Sequence, residues 1–598
     1  MQSVFLSRRD IDFLLFEWLG VDELTKHERF AEHSRDTFEA LLDLCEQLAA
    51  HYFATHNKLS DTNEPSFDGE TVTLIPEVKE AWVAFAQADL LGIAMDRRFG
   101  GAQLPVSVAQ AAFAWFSAAN TSTAGYLFLT MASANMLAKF GADDQIESFV
   151  KPMLSGRFSG TMALSETQAG SSLADVMTRA EPQPDGTYRL FGSKMWISGA
   201  EHELTENIVN LVLAKIPGSP AGTKGISLFI VPKYLVDADG SIGERNDVAL
   251  LGLNHKMGQR GTTNTVLNFG EGAFAPAGEP GAVGYLVGEP HRGIAYMFTM
   301  MNEARLGVGM SAVALGYTGY LKSLRYARER QQGRPLTAKE PSTPQVPIIE
   351  HADVKRMLLA QKAYVEGGLA LLLYCAKLID IQHSSDSQEE RANAELLLDI
   401  LTPVAKSWPS QWCLEANSLA IQVHGGYGYT REYDVEQHYR DNRLNLIHEG
   451  THGIQSLDLL GRKVRQRGGA SLMTLDAVIA QTVADAAALG GEASQQAKQL
   501  DAAWHRLIGV TRDIVSSADI EAAMANSVVY LEAFGHIVVA WIWLQQMIAA
   551  HGCSGDFYDG KRQASRYFFH YELPKTAPQL DLLASFDRTT LAMRDSWF

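Results

Sequence analysis

Apolar residues recur at every third or fourth position as far as about Phe158, pass into alternating and β-branched runs until about Val287, and return to the helical spacing beyond Gly293. A period near 3.6 buries one face of a helix and a period of two buries one face of a strand. Helical blocks on either side of a strand block therefore predict an α+β fold with segregated domains and argue against an alternating βαβ sheet. The first block, residues 1–158, carries "DTFEALLDLCEQLAAHYFATH" and "AQAAFAWFSAAN", with the turn-rich "KLSDTNEPSFDGETV" expected as one long surface loop. The strand block, 159–287, carries "GTYRLFGSKMWISGA", "ENIVNLVLAKI" and "KGISLFIVP", and Asp185-Gly186 in "PDGTY" predicts a hairpin turn. Long helical patterns fill 288–467, the first two joined by the Pro-rich "GRPLTAKEPSTPQVP", and a further helical segment fills 468–598.

A chain of 598 residues with 46% hydrophobic and 20% charged residues can bury a large core and is too apolar for disorder. Its formal net charge of -18 argues against a general affinity for nucleic acid or anionic membrane, so an anionic ligand needs a local basic pocket. Cys45, Cys375, Cys413 and Cys553 form no CxxC pair, which argues against structural zinc or any other metal centre and suits a reducing, cytoplasmic setting. The N-terminal "MQSVFLSRRDIDFLLFEWLGV" reads as an amphipathic helix and not a signal peptide. The late run Ile537 to Leu544 falls well short of the roughly 20 apolar residues that span a bilayer, so a buried helix is expected there and no integral membrane segment.

The chemistry has no familiar nucleotide signature. "GVGMSA" at Gly307 to Ala312 matches G-x-G-x-x-A in form but lies inside a helical pattern, where small residues indicate a close helix–helix contact. A better constellation is spread over four segments. "TMALSETQAGSSLADV" offers backbone amides and small hydroxyls for a planar or phosphorylated cofactor. "KMWISG" puts Trp196 and Ser198 on a strand, and "YARERQQGRP" ends a helix with Arg328, Arg330 and Arg334, enough positive charge to meet a diphosphate. "QVHGGYGYTREYDVEQHYRDNRLNLIHEGTHGIQ" joins a Gly-rich turn to Glu449, a carboxylate among apolar neighbours. Taken singly, Trp196 suits a core, the arginines a solvated helix face and Glu449 a helix end or salt bridge. Together they are more specific.

In content and order these segments resemble the acyl-CoA dehydrogenase family over roughly residues 80 to 465. "MALSETQAGSS" is similar to the family's first flavin-contacting loop, "KMWISG" to the strand with its flavin-stacking Trp, "HKMGQRGT" to a β-domain turn, and "RDNRLNLIHEGTHGIQ" to the segment with the catalytic base. The resemblance implies a helical domain, a β-barrel and a four-helix bundle, with FAD between barrel and bundle, and a homodimer or tetramer. It makes Met162, Leu164, Ser165, Ser171, Trp196 and Ser198 flavin contacts, and Arg330, Gln422, Gly426 and Thr451 contacts of the adenosine diphosphate end, Arg330 and Gln422 reaching across a dimer interface. Arg305, Gly450 and Ser171 fall to the acyl-CoA substrate. Thr167 and Gln168 in the loop, His448 before the base and Gly453 after it depart from the family's usual residues, and "RERQQGR" is one residue short of its usual form. The segment beyond about 470 is similar in position to the extra domain of a longer subgroup that includes 3-methylmercaptopropionyl-CoA dehydrogenases and bacterial fatty acyl-CoA dehydrogenases.

The implied reaction is α,β-dehydrogenation of a fatty acyl-CoA of medium to long chain to the trans-2-enoyl-CoA, as in fatty acid β-oxidation. Glu449 takes the α-proton, FAD accepts the β-hydride, and an electron-transfer flavoprotein collects the electrons. An apolar setting raises the pKa of a carboxylate, and a close cation would lower it again, so Glu449 is expected to stand apart from cations. An acyl-CoA oxidase, a 3-methylmercaptopropionyl-CoA dehydrogenase and a catalytically silent acyl-CoA or flavin scaffold are the alternatives. Met297, Met300 and Met301 suit either an adaptable acyl channel or a core.

Overall fold

The computed structural model describes residues 4–338 and 340–598, without the side chains of 299–302, so Met300 and Met301 lie outside the described side chains. Two compact units form, one from Asp36–Leu104 and Trp115–Ala304, the other from Met1–Arg35, Pro105–Ala114 and Arg305–Phe598.

The first unit combines helices α1 (Arg35–Leu48), α2 (Pro76–Gln87) and α3 (Thr121–Phe140) with a β-barrel. Asn120 caps α3 by accepting from the Thr123 N–H at 3.1 Å. The strands are β1 (Phe158–Ala163), β2 (Arg179–Pro182), β3 (Tyr188–Ser198), β4 (Asn207–Lys215), β5 (Ile226–Pro232), β6 (Val248–Leu253), β7 (Asn264–Phe269) and β8 (Ala282–Leu286), in the order β6-β7-β3-β8-β5-β4-β1. Because β2 pairs with both β3 and β4, the strands β3, β8, β5, β4 and β2 close on themselves. The interior is filled by Leu190, Val212, Phe229, Val231 and Leu267. β1 runs parallel to β4 and packs on α3 at Gly160, where a Cβ would sit 2.6 Å from that of Ser133. Asp185-Gly186 makes the expected turn between β2 and β3, with Asp185 accepting from the Thr187 N–H at 2.9 Å.

The segment expected as one long loop is not all loop. Asn57–Thr62 is helical, and Ser66–Phe67 pairs with Val72–Thr73 because the Asp68 carboxylate gathers the N–H groups of Glu70 and Thr71, each at 2.8 Å. Met297 is 1% exposed within the core that contains Phe149 and Leu228, so it is a packing residue.

The second unit is helical. Its bundle consists of α4 (Gly293–Glu329) from Arg305 onward, α5 (Ala352–Ser384), α6 (Gln388–His424) and α7 (Val435–Arg443), followed by the short α8 (His452–Leu457). Gly309 of "GVGMSA" serves packing as expected: a Cβ there would overlap the carbonyl oxygen of Ala405, so α4 and α6 cross almost backbone to backbone. The last domain adds α9 (Ala470–Leu489), α10 (Gly491–Ser516), α11 (Ser527–Ala549) and α12 (Asp556–Tyr567). Residues 4–35, which periodicity groups with the rest of 1–158, pack in this unit instead. The reason is a buried ionic knot: Lys561 pairs with Asp10 and, at 3.0 Å, with Glu366, while the Tyr317 hydroxyl donates to Asp10 at 3.0 Å.

Two helices, Gln466–Leu489 and Ser527–Ala549, are long and apolar enough to cross a membrane by length and composition, which the run of Ile537 to Leu544 alone did not suggest. The second is 83% buried in the protein's own interior, as expected of a core helix, whereas the first is 22% buried and carries exposed Asp476 and Asp485. α11 is tied to the bundle by Trp543 donating to the Ala363 carbonyl at 3.2 Å and by Trp408 donating to His536 at 3.3 Å. It also meets α8 through Ser527 and Ser456 at 3.0 Å. A chain ending at Arg467 is therefore expected to expose the α5 and α6 surfaces that α11 covers and to aggregate. Light scattering checks this, and a soluble truncated protein with unchanged assembly size would refute it.

Candidate active site

Glu449 lies in the irregular segment between α7 and α8. Its φ is 53° and that of Gly450 is 86°, so two successive residues adopt the left-handed conformation. For a side-chain-bearing residue this stores roughly 1–3 kcal/mol and persists only where surrounding contacts impose it. Those contacts are visible. Gln455 Nε2 donates to the Glu449 carbonyl at 2.9 Å, and a Cβ on Gly450 would stand 2.6 Å from the same nitrogen, which explains the glycine. The Lys406 ammonium donates to the carbonyls of Asn445 at 2.7 Å and Gly450 at 2.8 Å. Beneath them runs a ladder of buried amides: Asn417 donates to the Leu315 carbonyl, Asn442 to Asn417 at 2.7 Å, and Asn445 to Asn442 at 3.0 Å, with His448 against Asn445 at 2.9 Å.

Burial raises the Glu449 pKa above the usual carboxylate value, against the opposing charges of Arg305 and Lys406. The expectation that Glu449 stands apart from cations is thus corrected: two cations share its surroundings, and desolvation still prevails. Part of the reason is that Arg305 is engaged elsewhere, paired with Asp458 at 2.9 Å, which also binds Arg462 at 2.6 Å. Burial holds His448 at about 3 and Lys406 at about 7, so the histidine beside the carboxylate stays neutral and the lysine titrates near neutrality.

The structure brings Arg305, Glu449 and Gly450 into one cluster, with Thr451 capping α8 through the Ile454 N–H at 3.3 Å. Arg330 and Gly426 meet in a second place, a cavity of about 430 Å³ in the same unit. There the Arg330 guanidinium lies 5.8 Å from the centre of the Tyr427 ring, and Tyr326 stacks on His424 at 4.3 Å. Gly426 presents bare backbone, since a Cβ there would meet nothing within 4 Å. A cation beside aromatic faces and open backbone suits an anionic group attached to a flat ring. Gln422 is exposed on the last turn of α6 and is not among the cavity's lining residues.

The remaining predicted residues lie in the first unit. Met162 is buried on β1, and Leu164 and Ser165 follow it. Leu164 accepts from Lys194 at 2.9 Å and the Ser165 carbonyl from the Met195 N–H at 3.0 Å. Ser171 is exposed in the loop beyond. Trp196 is 60% exposed at φ 68°. The pairing Thr265–Ile197 followed by Val266–Met195 leaves it as the extra residue of a β-bulge, which turns the indole out of the sheet. Ser198 ends the strand, its hydroxyl accepting from Asn264 at 3.1 Å. Outward Trp196 beside the Ser165–Ser171 loop offers an apolar plate with polar margins, the surface a planar ring needs.

Glu166 anchors that loop. It accepts from the Met177 N–H, the Thr178 N–H and hydroxyl, and Lys194 at 2.9 Å. Burial pushes its pKa up, but Lys194 and these donors hold it at about 2.

Sequence reasoning missed Lys406, Gln455, the asparagine ladder and the Glu166–Lys194 pair. The signal for Lys406 was a lone charge inside the apolar run "LTPVAKSWPS".

Four family models match in succession: acyl-CoA dehydrogenase N-terminal domain over 37–157, middle domain over 161–270, C-terminal domain over 291–464, and acetyl-CoA dehydrogenase C-terminal like over 475–594. The 3-methylmercaptopropionyl-CoA dehydrogenase of Ruegeria pomeroyi is 35% identical over 89% of each chain. The broad-specificity linear acyl-CoA dehydrogenase FadE5 of Mycobacterium tuberculosis is 33% identical over 99% of each. An acyl-CoA dehydrogenase from Bacillus anthracis, solved in complex with FAD, shares the fold at a TM-score of 0.74, with 19% identity over 98% of this chain and 92% of that one.

Proposed function

The chain belongs to the acyl-CoA dehydrogenase family, and from that membership we propose that it oxidises a saturated fatty acyl-CoA thioester of medium to long chain to the trans-2-enoyl-CoA, with FAD as cofactor and Glu449 as base. The observation that carries this reading is the Glu449 carboxylate itself, raised in pKa by burial and locked in a left-handed turn. Burial makes such a group more basic than an ordinary carboxylate, and the tethered turn fixes the backbone that presents it.

The protein's surfaces fit FAD. The outward indole of Trp196 and the loop with Leu164, Ser165, Ser171 and nearby Met162 and Ser198 would hold the ring system. Arg330 and Gly426 in their cavity, with Gln422 and Thr451, would serve the adenosine diphosphate. When bound, FAD supplies an acceptor for the hydride from the substrate's Cβ. The chain's own groups do the rest. The Glu449 N–H donates to the thioester oxygen and stabilises the charge that develops as the α-proton leaves. The Glu449 carboxylate takes that proton. Gly450 lets the substrate approach the backbone, and Arg305, pinned by Asp458, keeps positive charge near the carboxylate without quenching it.

We assign the electrons to an electron-transfer flavoprotein, and the protein to the cytosol as a homodimer or tetramer. Relatives named for linear acyl-CoA and for 3-methylmercaptopropionyl-CoA support an acyl-CoA thioester as the substrate. The test is anaerobic bleaching of the bound flavin by saturated acyl-CoAs of increasing chain length. Bleaching that peaks at medium to long chains supports the proposal. No bleaching by any thioester refutes it, and stoichiometric peroxide on admission of air assigns the electrons to oxygen instead.

A further inference from the structure

The lysine at 406 is 0% exposed, and its ammonium is aimed at the turn that carries Glu449. The carbonyls it grips, Asn445 at 2.7 Å and Gly450 at 2.8 Å, bracket Glu449 on both sides. The crossing of α6 and α4 rests on backbone contact between the neighbouring Ala405 and Gly309, not on the lysine side chain. Burying an ammonium is costly unless its donors are met and a negative charge is near, so its place here calls for a function.

We infer that Lys406 is a positioning residue for the reaction proposed above: it clamps the two carbonyls that bracket Glu449, so that the carboxylate and its N–H keep one orientation, and it supplies the positive charge that favours the ionised, proton-accepting form of that carboxylate. This rests on Glu449 being the base.

The charged and titratable groups around the turn leave Lys406 in that role. From α4, Arg305 is committed to Asp458, which also holds Arg462. His448 and His452 flank the turn and are kept neutral by burial, at about 3 and about 4. Lys406 and Glu449 each favour the other's charged form, while burial opposes both. The sign follows. Removing the ammonium leaves burial less opposed, so Glu449 protonates at a higher pH and the acid limb of the rate profile moves up. The backbone frame adds the second effect, because Glu449 sits in a conformation that relaxes once its tethers are cut.

The test uses the flavin-loaded enzyme with Lys406→Met, which removes donors and charge, and Lys406→Gln, which keeps donors and removes charge. Four quantities are read: anaerobic flavin-reduction rate against pH, acyl-CoA dissociation constant, flavin content with melting temperature, and the infrared carboxylic-acid band of Glu449 titrated without substrate. For Lys406→Met the expected rate at pH 7 is about 10²-fold lower, the loss that a displacement of roughly 1 Å at a reacting group causes. Its acyl-CoA dissociation constant and flavin content should stay close to the parent's, and the infrared midpoint should rise by about one pH unit, a typical effect of one lost nearby charge. Lys406→Gln should show the same midpoint rise with a smaller loss of rate. A folded Met or Gln variant whose infrared midpoint matches the parent's overturns the inference. So does a rate that falls only in step with lost flavin. If the Met variant does not fold, the Gln variant decides by the same midpoint. Glu449→Gln run in parallel separates the two claims: a Gln variant that stays fast sinks the base assignment, whereas a dead Gln variant beside an unperturbed Lys406→Met sinks only the role of Lys406.

Discussion

Glu449→Gln is expected to slow anaerobic flavin reduction about 10⁴-fold, the upper end of what a positioned general base contributes and roughly 5 kcal/mol of barrier. The substitution is nearly isosteric. It keeps the backbone N–H and leaves the Gln455 and Lys406 tethers attached to the carbonyls of 449 and 450, since both grip main chain and not the carboxylate. Flavin content and melting temperature should therefore match the parent's. Acyl-CoA should still bind, because the thioester oxygen keeps its donor. With Glu449 as the proposed base, the active form is the carboxylate, whose pKa burial raises, so the rate should climb with pH through an acid limb above the ordinary carboxylate value and level off beyond it. The Gln variant has no carboxyl group at 449 to titrate and should lose that limb. Stopped-flow reduction across pH, with a parallel binding titration, makes the measurement. A variant within about tenfold of the parent, under roughly 1.4 kcal/mol, would mean the base lies elsewhere.

The second large effect concerns stability. Lys194→Met is expected to cost about 3–5 kcal/mol, the usual penalty for stripping one partner from a buried ion pair. Lys194 and Glu166 are 0% and 4% exposed at 2.9 Å, so the methionine leaves a carboxylate in the interior with only neutral donors. The apparent melting temperature should fall by about 10 °C, given roughly 2–4 °C per kcal/mol for units of this size. The pH dependence has a definite sign. In the parent, Glu166 is held at about 2, below its unfolded value, so its contribution is present above the unfolded pKa and lost as pH falls through the folded one. In the variant, the Lys194 charge no longer opposes burial, so the folded pKa rises and less of the carboxylate's contribution remains to be lost in acid. The gap between parent and variant should narrow from pH 7 toward pH 4. The double variant Glu166→Gln with Lys194→Met should recover part of the loss. Melting within about 2 °C of the parent would show that water or relaxation already compensates the charge.

Whereas the barrel was implied by the family resemblance, the succession of helical, strand-rich and helical domains could be read from periodicity, because which face of an element is buried is written in consecutive residues. The same holds for the hairpin at Asp185-Gly186, the buried helix Ser527–Ala549 and the packing role of "GVGMSA". The segment around Glu449 was legible because its residues stand together in the chain. What escaped depends on where distant residues meet. Trp196 faces outward through a bulge that appears only in its pairing with the strand bearing Thr265 and Val266. Residues 4–35 join the second unit, where Asp10 finds Lys561. The cations around Glu449 arrive from two other helices, so a carboxylate that looks solitary in sequence is electrostatically accompanied in space. Local order along the chain set which elements form and where the turn carrying Glu449 lies. The raised pKa of Glu449 and the left-handed backbone that carries it were decided by tertiary packing, because Coulomb interactions and desolvation depend on distance in space, and the crossing at Gly309 and Ala405 is what brings the helices bearing Arg305 and Lys406 so close together.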